Sequence, residues 1–174
     1  MNEENPRTRV LVSAGSKHGS TAEIAAHIAA RLTQFGIEPV TRDPDDAGDL
    51  SDYDAYVIGS AVYAGHWTHD AKSLATRIGD AKGDKPVWLF SSGPIGDPPK
   101  PDEDPVDVSE IADAIHPIDH TVFAGKVDKK LLSFGEKAIL VAVRAPEGDF
   151  RDWAEIESWT DTIAAALATA PIPR

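Results

Sequence analysis

The stretch Val10-Leu11-Val12-Ser13-Ala14-Gly15-Ser16-Lys17-His18-Gly19-Ser20-Thr21 combines an apolar run, a small hydroxyl-rich turn and the start of a helix. The run at residues 10–12 is typical of a strand buried on both faces. Apolar residues then recur at helical spacing from Ile24 to Leu32, and Gly36 is placed to end the helix. The first N–H groups of such a helix are unpaired and its dipole favours an anion, so this strand, turn and helix predict a phosphate site.

The turn at residues 16–21 differs from the common nucleotide-binding turns. It has neither the G-x-G-x-x-G pattern of dinucleotide-binding folds nor the G-K-[S/T] ending of a P-loop. A plain helix cap needs one hydroxyl, whereas this turn places three around a glycine. We therefore predict that a single phosphate is bound by Ser16, Lys17, His18, Gly19, Ser20 and Thr21.

Composition limits the classes of function. The 174 residues suit one domain over 1–174, and we expect 1–7 and 170–174 to be disordered tails. No apolar run is long enough to span a bilayer and the first residues lack a signal-peptide layout, so we expect a cytoplasmic protein, monomeric or weakly dimeric. The net charge of −12 argues against a nucleic-acid partner. Because the chain has no cysteine, redox chemistry would need a bound cofactor, and no metal site is predicted.

Apolar patterns along the chain predict strands that alternate with helices. The predicted strands cover residues 10–12, 37–41, 53–59, 86–91 and 120–124. The predicted helices cover 21–36, 68–82, 106–115, 129–143 and 153–167, and Pro- and Asp-rich loops cover 43–52 and 93–105. This alternation predicts an α/β three-layer sandwich around a five-stranded parallel sheet in the order 2-1-3-4-5.

In such sheets, ligands bind beyond the carboxyl ends of the strands, next to the first strand. Two further loops therefore join the turn, and both are rich in small residues that let a ring approach the backbone. One phosphate and one planar ring describe a mononucleotide, and flavin mononucleotide (FMN) matches that description. The predicted ring-binding residues are Ala61, Val62, Tyr63, Ala64, Gly65 and Trp67 in one loop, and Ser92, Gly93, Pro94, Ile95 and Gly96 in the other.

Each aromatic or charged candidate also has a structural explanation. We expect at least one of Tyr63 and Trp67 to line the ring, although large aromatics more often fill cores. Trp88, Trp153 and Trp159 are predicted to pack, and His66 to be a solvated loop residue. Arg144 and Arg151 are expected in surface salt bridges. The acid-rich segment 97–107 is expected to be either a solvated loop or a segment that docks a basic partner or gates the site.

On these motifs the chain resembles the flavodoxin family from about Arg9 to Leu167. The resemblance rests on the turn at 16–21 and on Gly59-Ser-Ala-Val-Tyr63; Phe90-Ser-Ser-Gly-Pro94 and Asp149-Phe-Arg-Asp-Trp153 are closer to the branch related to quinone-dependent protoporphyrinogen dehydrogenases. It implies non-covalent FMN, with its phosphate on the first loop and its ring between the other two. His18 departs from the pattern, since the family usually has a hydroxyl residue there, and this leaves a deazaflavin as the alternative cofactor.

The leading hypothesis is thus an FMN-binding electron carrier with a redox partner protein or a quinone-like small molecule. The alternatives are an oxidoreductase acting on a quinone or a protoporphyrinogen-type substrate, and a cofactor-free interaction module. A receiver domain is disfavoured because strand one ends in Ser13-Ala14-Gly15 without an acid. A hydrolase is disfavoured because the G-x-S-x-G motif is missing.

Overall fold

The computed structural model of the chain describes residues 7–93, 105–142 and 146–169. Its strands are β1 Arg9–Gly15, β2 Glu38–Thr41, β3 Ala55–Tyr63, β4 His66–Trp67, β5 Val87–Ser92, β6 Asp119–Phe123, β7 Lys126–Val127 and β8 Gly148–Asp149. Its helices are α1 Ser20–Gln34, α2 His69–Ala81, α3 Val106–Ile115, α4 Phe134–Ala142 and α5 Trp153–Thr169, with short 3₁₀ turns at Pro44–Asp46 and Leu50–Asp52.

Five parallel strands form the main sheet in the order β2-β1-β3-β5-β6. Counted among the parallel strands alone, this is the predicted order 2-1-3-4-5, and the flavodoxin-like fold is confirmed. The described residues contain no helix with the length and apolar character needed to cross a lipid bilayer. The single-domain organisation stays a prediction, and the expected tails lie, apart from Arg7, outside the described residues.

The sheet separates two apolar clusters because successive side chains of a strand point to opposite faces. On β1, Val10 and Val12 pack with α1 and α5, whereas Leu11 packs with α2 and α3. All three side chains are fully buried. This is the burial that the apolar run at 10–12 predicts, and it fixes the carboxyl end of β1 between those of β2 and β3.

Several boundaries differ from the sequence-based expectations. Strand β3 runs four residues past Gly59 because its end pairs with both neighbours, Ser60 with Gly15 and Ala61 with Ser92. Helix α4 begins at Phe134, not at residue 129. The short strands β4, β7 and β8 were not expected, since two-residue strands leave no periodic pattern. Trp88 and Trp159 are core residues as predicted, and Trp153 packs against the α1–α5 cluster.

Candidate functional site

The three predicted loops meet at one edge of the sheet. Strand β3 lies between β1 and β5, and its register pairs Ser60 with Gly15 and Ala61 with Ser92. The chain leaves β1 for the turn at 16–19, leaves β3 for the turn to β4, and leaves β5 at Gly93. These exits are neighbours at the carboxyl edge of the sheet. The described part of the third loop ends at Gly93, so Pro94, Ile95 and Gly96 lie outside the described residues, as do residues 97–104 of the acidic segment.

The N-terminus of α1 carries the features of an anion site. Gly19 is the N-cap residue, with φ of 86°, and among the described residues no side chain caps the helix. Its own N–H donates to Ser16 Oγ at 3.1 Å, which orders the turn. A Cβ on Gly19 would meet nothing within 4 Å, so glycine is needed here for its backbone angle and not for lack of space. The N–H groups of the first helical turn thus face the site without a side-chain acceptor.

The side chains around this turn divide by burial. Thr21 is buried on α1, with 2% exposure, and therefore packs inside the domain. Ser16, His18 and Ser20 are half-buried, and Lys17 and Gly19 are exposed. Hydroxyl contacts to an anion would accordingly come from Ser16 or Ser20, while Thr21 offers its backbone N–H.

The carboxylate of Glu136, which was not among the predicted site residues, contacts both basic side chains of the turn. Lys17 Nζ donates to Glu136 Oε1 at 2.5 Å, and His18 Nε2 lies 3.1 Å from the same oxygen. The hydrogen bond from Lys17, followed by one from the Ser133 N–H, holds the pKa of Glu136 far below its usual range. Helix α4 is thereby tied to the phosphate turn by a carboxylate that stays ionised.

Tyr63 connects the first loop with the second. Lys17 Nζ lies 5.7 Å from the centre of the Tyr63 ring, and the His18 ring meets it edge-on at 6.3 Å. Burial, and then the negative charge of Glu136, raise the pKa of the Tyr63 hydroxyl. A neutral, half-buried aromatic ring therefore stands beside the anion site.

Trp67 occupies a different environment from Tyr63. Its side chain is 3% exposed and its indole N–H donates to Ser91 Oγ at 2.8 Å. Ser91 Oγ in turn lies 2.9 Å from His120 Nε2 on β6. Trp67 thus packs within the α2 cluster, and Tyr63 is the one of the two aromatics with partial exposure at the loop.

The second loop is a tight hairpin between β3 and β4. Ala64 and Gly65 both have positive φ, 50° and 81°, the pattern of a two-residue type I′ turn. Ala61 and Val62 are buried in the strand before it, while Ala64 is exposed. In the third loop Ser92 is buried and Gly93, at φ of 76°, donates its N–H to the carbonyl of Phe123.

Asp107, in the first turn of α3, stabilises this hairpin through its carboxylate. Its Oδ2 accepts the Trp67 N–H at 2.9 Å, and its Oδ1 lies 3.1 Å from His66 Nδ1. Burial alone would raise the pKa of Asp107, but the hydrogen bonds from His66 and Trp67, with Lys72 nearby, lower it. His66 is 52% exposed, in line with the expected solvated residue, yet it is paired.

Arg151 corrects an expectation. The expected salt bridges are present, to Glu23 and Asp149, but the side chain is only 4% exposed and therefore not at the surface. It donates to the Ser20 carbonyl, to Glu23 and to Asp149, and its guanidinium lies 4.6 Å from the Trp153 ring centre. The cause is the β7–β8 ribbon, which carries Asp149 to the start of α1. Arg151 thus fixes the N-terminus of α1, where the anion site is predicted; Arg144 lies outside the described residues.

Comparisons with known proteins agree with this architecture. The family model described as a flavodoxin domain matches residues 11–153. No curated protein matches the chain significantly. Among solved structures, rubredoxin oxygen:oxidoreductase of Desulfovibrio gigas has a TM-score of 0.61 at 17% identity over 95% of this chain, which spans only 37% of that protein.

Two flavodoxins match over nearly their whole length. A point mutant of flavodoxin from Pseudomonas aeruginosa has a TM-score of 0.59 at 15% identity, covering 92% of this chain and 99% of that one. Oxidised flavodoxin 1 from Bacillus cereus has a TM-score of 0.58 at 14% identity, covering 94% and 100%. At these identities the structures establish the shared fold, whereas the family match extends over most of the sequence. The chain belongs to the flavodoxin domain family.

Proposed function

We propose that this chain binds FMN without a covalent bond and transfers electrons to or from a redox partner protein or a quinone-like small molecule. The observation that carries the proposal is the N-terminus of α1. It begins at the left-handed Gly19, it has no side-chain cap among the described residues, and it stands beside the Tyr63 ring. Membership of the flavodoxin domain family supports a flavin as the ligand of such a site.

The residues of the first loop suit a phosphate monoester. N–H groups of the first helical turn and the hydroxyls of Ser16 and Ser20 would hold its oxygens, and Lys17 and His18 would balance its charge. Glu136 works against this arrangement, because its carboxylate already lies on both cations. Phosphate binding would therefore have to share Lys17 and His18 with Glu136 or displace it.

The other two loops suit a planar ring. Tyr63 would supply an aromatic face, and the small residues of 61–65 and 92–93 would bring backbone groups near the ring edge. Bound FMN would supply the redox chemistry itself. The chain's part would be to fix the ring, keep water from the face that Tyr63 covers, and set the charge around it with Lys17, His18 and Glu136.

The test is a fluorescence titration of the purified protein with FMN, FAD and a deazaflavin in parallel. We expect FMN to bind most tightly and to raise the melting temperature. Tighter binding of the deazaflavin would mean that the cofactor is a deazaflavin and not FMN, bound at the same site. A protein that ignores all three ligands would contradict the proposal and favour an interaction module.

The matched variants are Gly19→Ala and Gly36→Ala. Both glycines have positive φ, 86° and 77°, and a Cβ on either meets nothing within 4 Å, so both substitutions impose similar backbone strain. Only Gly19 lies at the anion site. We expect Gly19→Ala to weaken FMN binding about tenfold and Gly36→Ala to leave it unchanged. Equal FMN affinities for the two variants would show that the turn at 16–21 does not contribute to FMN binding.

A further inference from the structure

Residues 126–142, called here the basic segment, carry large apolar side chains on the surface of the molecule. Phe134 is 91% exposed and Val141 76%, and Leu131 and Ile139 are more than half exposed. Four of the six exposed large hydrophobic side chains among the described residues lie in this one segment. None of the residues of α4 is buried, so the helix packs no apolar face against the sheet. Exposed apolar clusters of this kind mark contact surfaces.

The apolar face of α4 points away from the domain. Phe134, Ala138 and Val141 are spaced i, i+4 and i+7, so they share one side of the helix. Glu136 lies on the opposite side, where its carboxylate meets Lys17 and His18. The ion pairs therefore hold the helix with Phe134 and Val141 directed outward.

The charge of the basic segment is opposite to that of the molecule. It contains four lysines, Lys126, Lys129, Lys130 and Lys137, against Asp128 and Glu136, while the whole chain carries −12. All four lysines are exposed. Glu136 is already paired on the opposite side of α4, while Lys137, three residues after Phe134, lies beside the apolar face. A partner for this surface must accept apolar groups and carry negative charge.

We propose that the basic segment docks on the surface of an anionic lipid bilayer. A helix with apolar residues on its outer face and lysines around them lies in the interface, with the apolar groups among the acyl chains and the lysines at the headgroups. The rest of the chain carries a net negative charge, which favours the orientation with the basic segment toward the lipid. At physiological salt the Debye length is about 8 Å, so the distant acidic surface does not prevent approach.

This docking does not depend on the proposed cofactor, and it would place the candidate site at the membrane. Helix α4 is joined to the phosphate turn through Glu136, and the Tyr63 ring lies beside that turn. An electron acceptor or donor dissolved in the bilayer would then be within reach of the same edge of the sheet.

The test uses a fluorescent reporter on the outer face of α4. The chain has no cysteine, so Phe134→Cys creates a unique attachment point for the polarity-sensitive NBD group. We expect its emission to shift to the blue and gain intensity with vesicles of phosphatidylcholine and phosphatidylglycerol, and much less with phosphatidylcholine alone. Phe35→Cys, at an exposed phenylalanine after α1, is the matched control and should not respond. An unchanged signal at residue 134 would overturn the proposal.

Vesicle sedimentation of unlabelled variants tests the two contributions separately. We expect Phe134→Ser with Val141→Ser to lower vesicle binding about tenfold, and Phe35→Ser to leave it unchanged. Lys129→Gln with Lys130→Gln should lower it about thirtyfold, whereas Lys82→Gln with Lys85→Gln should not. Binding that ignores both changes would contradict the docking. Concentration-dependent self-association without vesicles would assign the surface to a second copy, and binding only to an acidic protein would assign it to that protein; both results would overturn the lipid proposal.

Discussion

At the scale of single residues, Glu136 has two roles beside the turn at 16–21: it caps α4 and it pairs with the basic side chains of the turn. Its Oε2 accepts the Ser133 N–H at 2.7 Å, and its Oε1 accepts from Lys17 and lies against His18. The first contact begins α4, and the others place a negative charge where a phosphate would bind. The same side chain thus organises one helix and, if the turn binds a phosphate, would lower the affinity for it.

The first prediction concerns this competition. We expect Glu136→Gln to tighten FMN binding about fivefold. The substitution removes a negative charge from the turn, so Lys17 and His18 become available to the phosphate. The measurement is the dissociation constant for FMN at physiological salt. Glu110→Gln, an exposed acid on α3, is the control for net charge. Unchanged or weaker binding in Glu136→Gln would show that Glu136 does not compete with the phosphate.

At the scale of the elements, the contact between β1 and α2 determines how closely the helix approaches the sheet. A Cβ on Gly15 would lie 1.9 Å from Thr68 Oγ1 and 2.9 Å from the Ala71 Cβ, so the N-terminus of α2 packs directly on this backbone. Gly79, near the other end of α2, has ordinary space, with Ile115 Cγ1 at 3.6 Å. A side chain is therefore excluded at Gly15 by the close contact with α2, whereas Gly79 has room for one.

The second prediction uses this contrast. We expect Gly15→Ala to lower the free energy of unfolding by about 2 kcal/mol, because the methyl group forces the helix away from the strand. Gly79→Ala should raise it by about 0.5–1 kcal/mol through helix propensity. Urea denaturation of both variants measures the difference. Effects of the same sign would contradict the close approach at Gly15.

The third prediction concerns Asp107 and the β3–β4 hairpin. The pKa of Asp107 is lowered in the folded state, so its contribution to stability is present above the unfolded carboxyl pKa of about 4 and is lost as the pH falls further. We expect Asp107→Asn to cost about 1 kcal/mol at pH 7 and progressively less as the pH falls below about 4, in urea denaturation across that range. Asp113→Asn, on an exposed residue of the same helix, is the control for the loss of one negative charge from α3. A cost that persists in acid would mean that packing, not the carboxylate, supports the hairpin.

Elements with a long apolar pattern could be predicted from the sequence, and those fixed by one or two hydrogen bonds could not. The run at Val10–Val12 predicts β1 because three consecutive apolar residues indicate a strand that is buried on both faces, as the structure has it. The hairpin at Ala64-Gly65 lacks the usual Asn-Gly signal, and Asp107 supports it from 40 residues away. The start of α4 did leave a signal: Ser133 and Glu136 form a reciprocal capping box.

At the scale of the whole molecule, the sheet with its four packed helices accounts for the core, and the excursion between β7 and β8 adds little to it. Of the described residues at 128–142 and 146–147, none is buried. Strands β7 and β8 pair directly, Val127 opposite Gly148. The excursion reaches the rest of the molecule through polar contacts such as those of Glu136 with Lys17 and His18, and exposed ion pairs contribute little to stability.

The fourth prediction is that the molecule folds without this excursion. Replacing residues 128–147 by Asn-Gly joins Val127 to Gly148 through a two-residue turn that suits antiparallel strands. We expect the free energy of unfolding to stay the same or to rise by up to about 2 kcal/mol, because none of the described residues that are removed is buried and a shorter loop costs less entropy to close. Urea denaturation measures it, and an unchanged dependence on urea concentration would show that the core is intact. Glu136→Gln in the full-length chain separates the loss of one carboxylate from the loss of the segment. A fall in stability of several kcal/mol would show that the excursion is part of the core and not an addition to a finished domain.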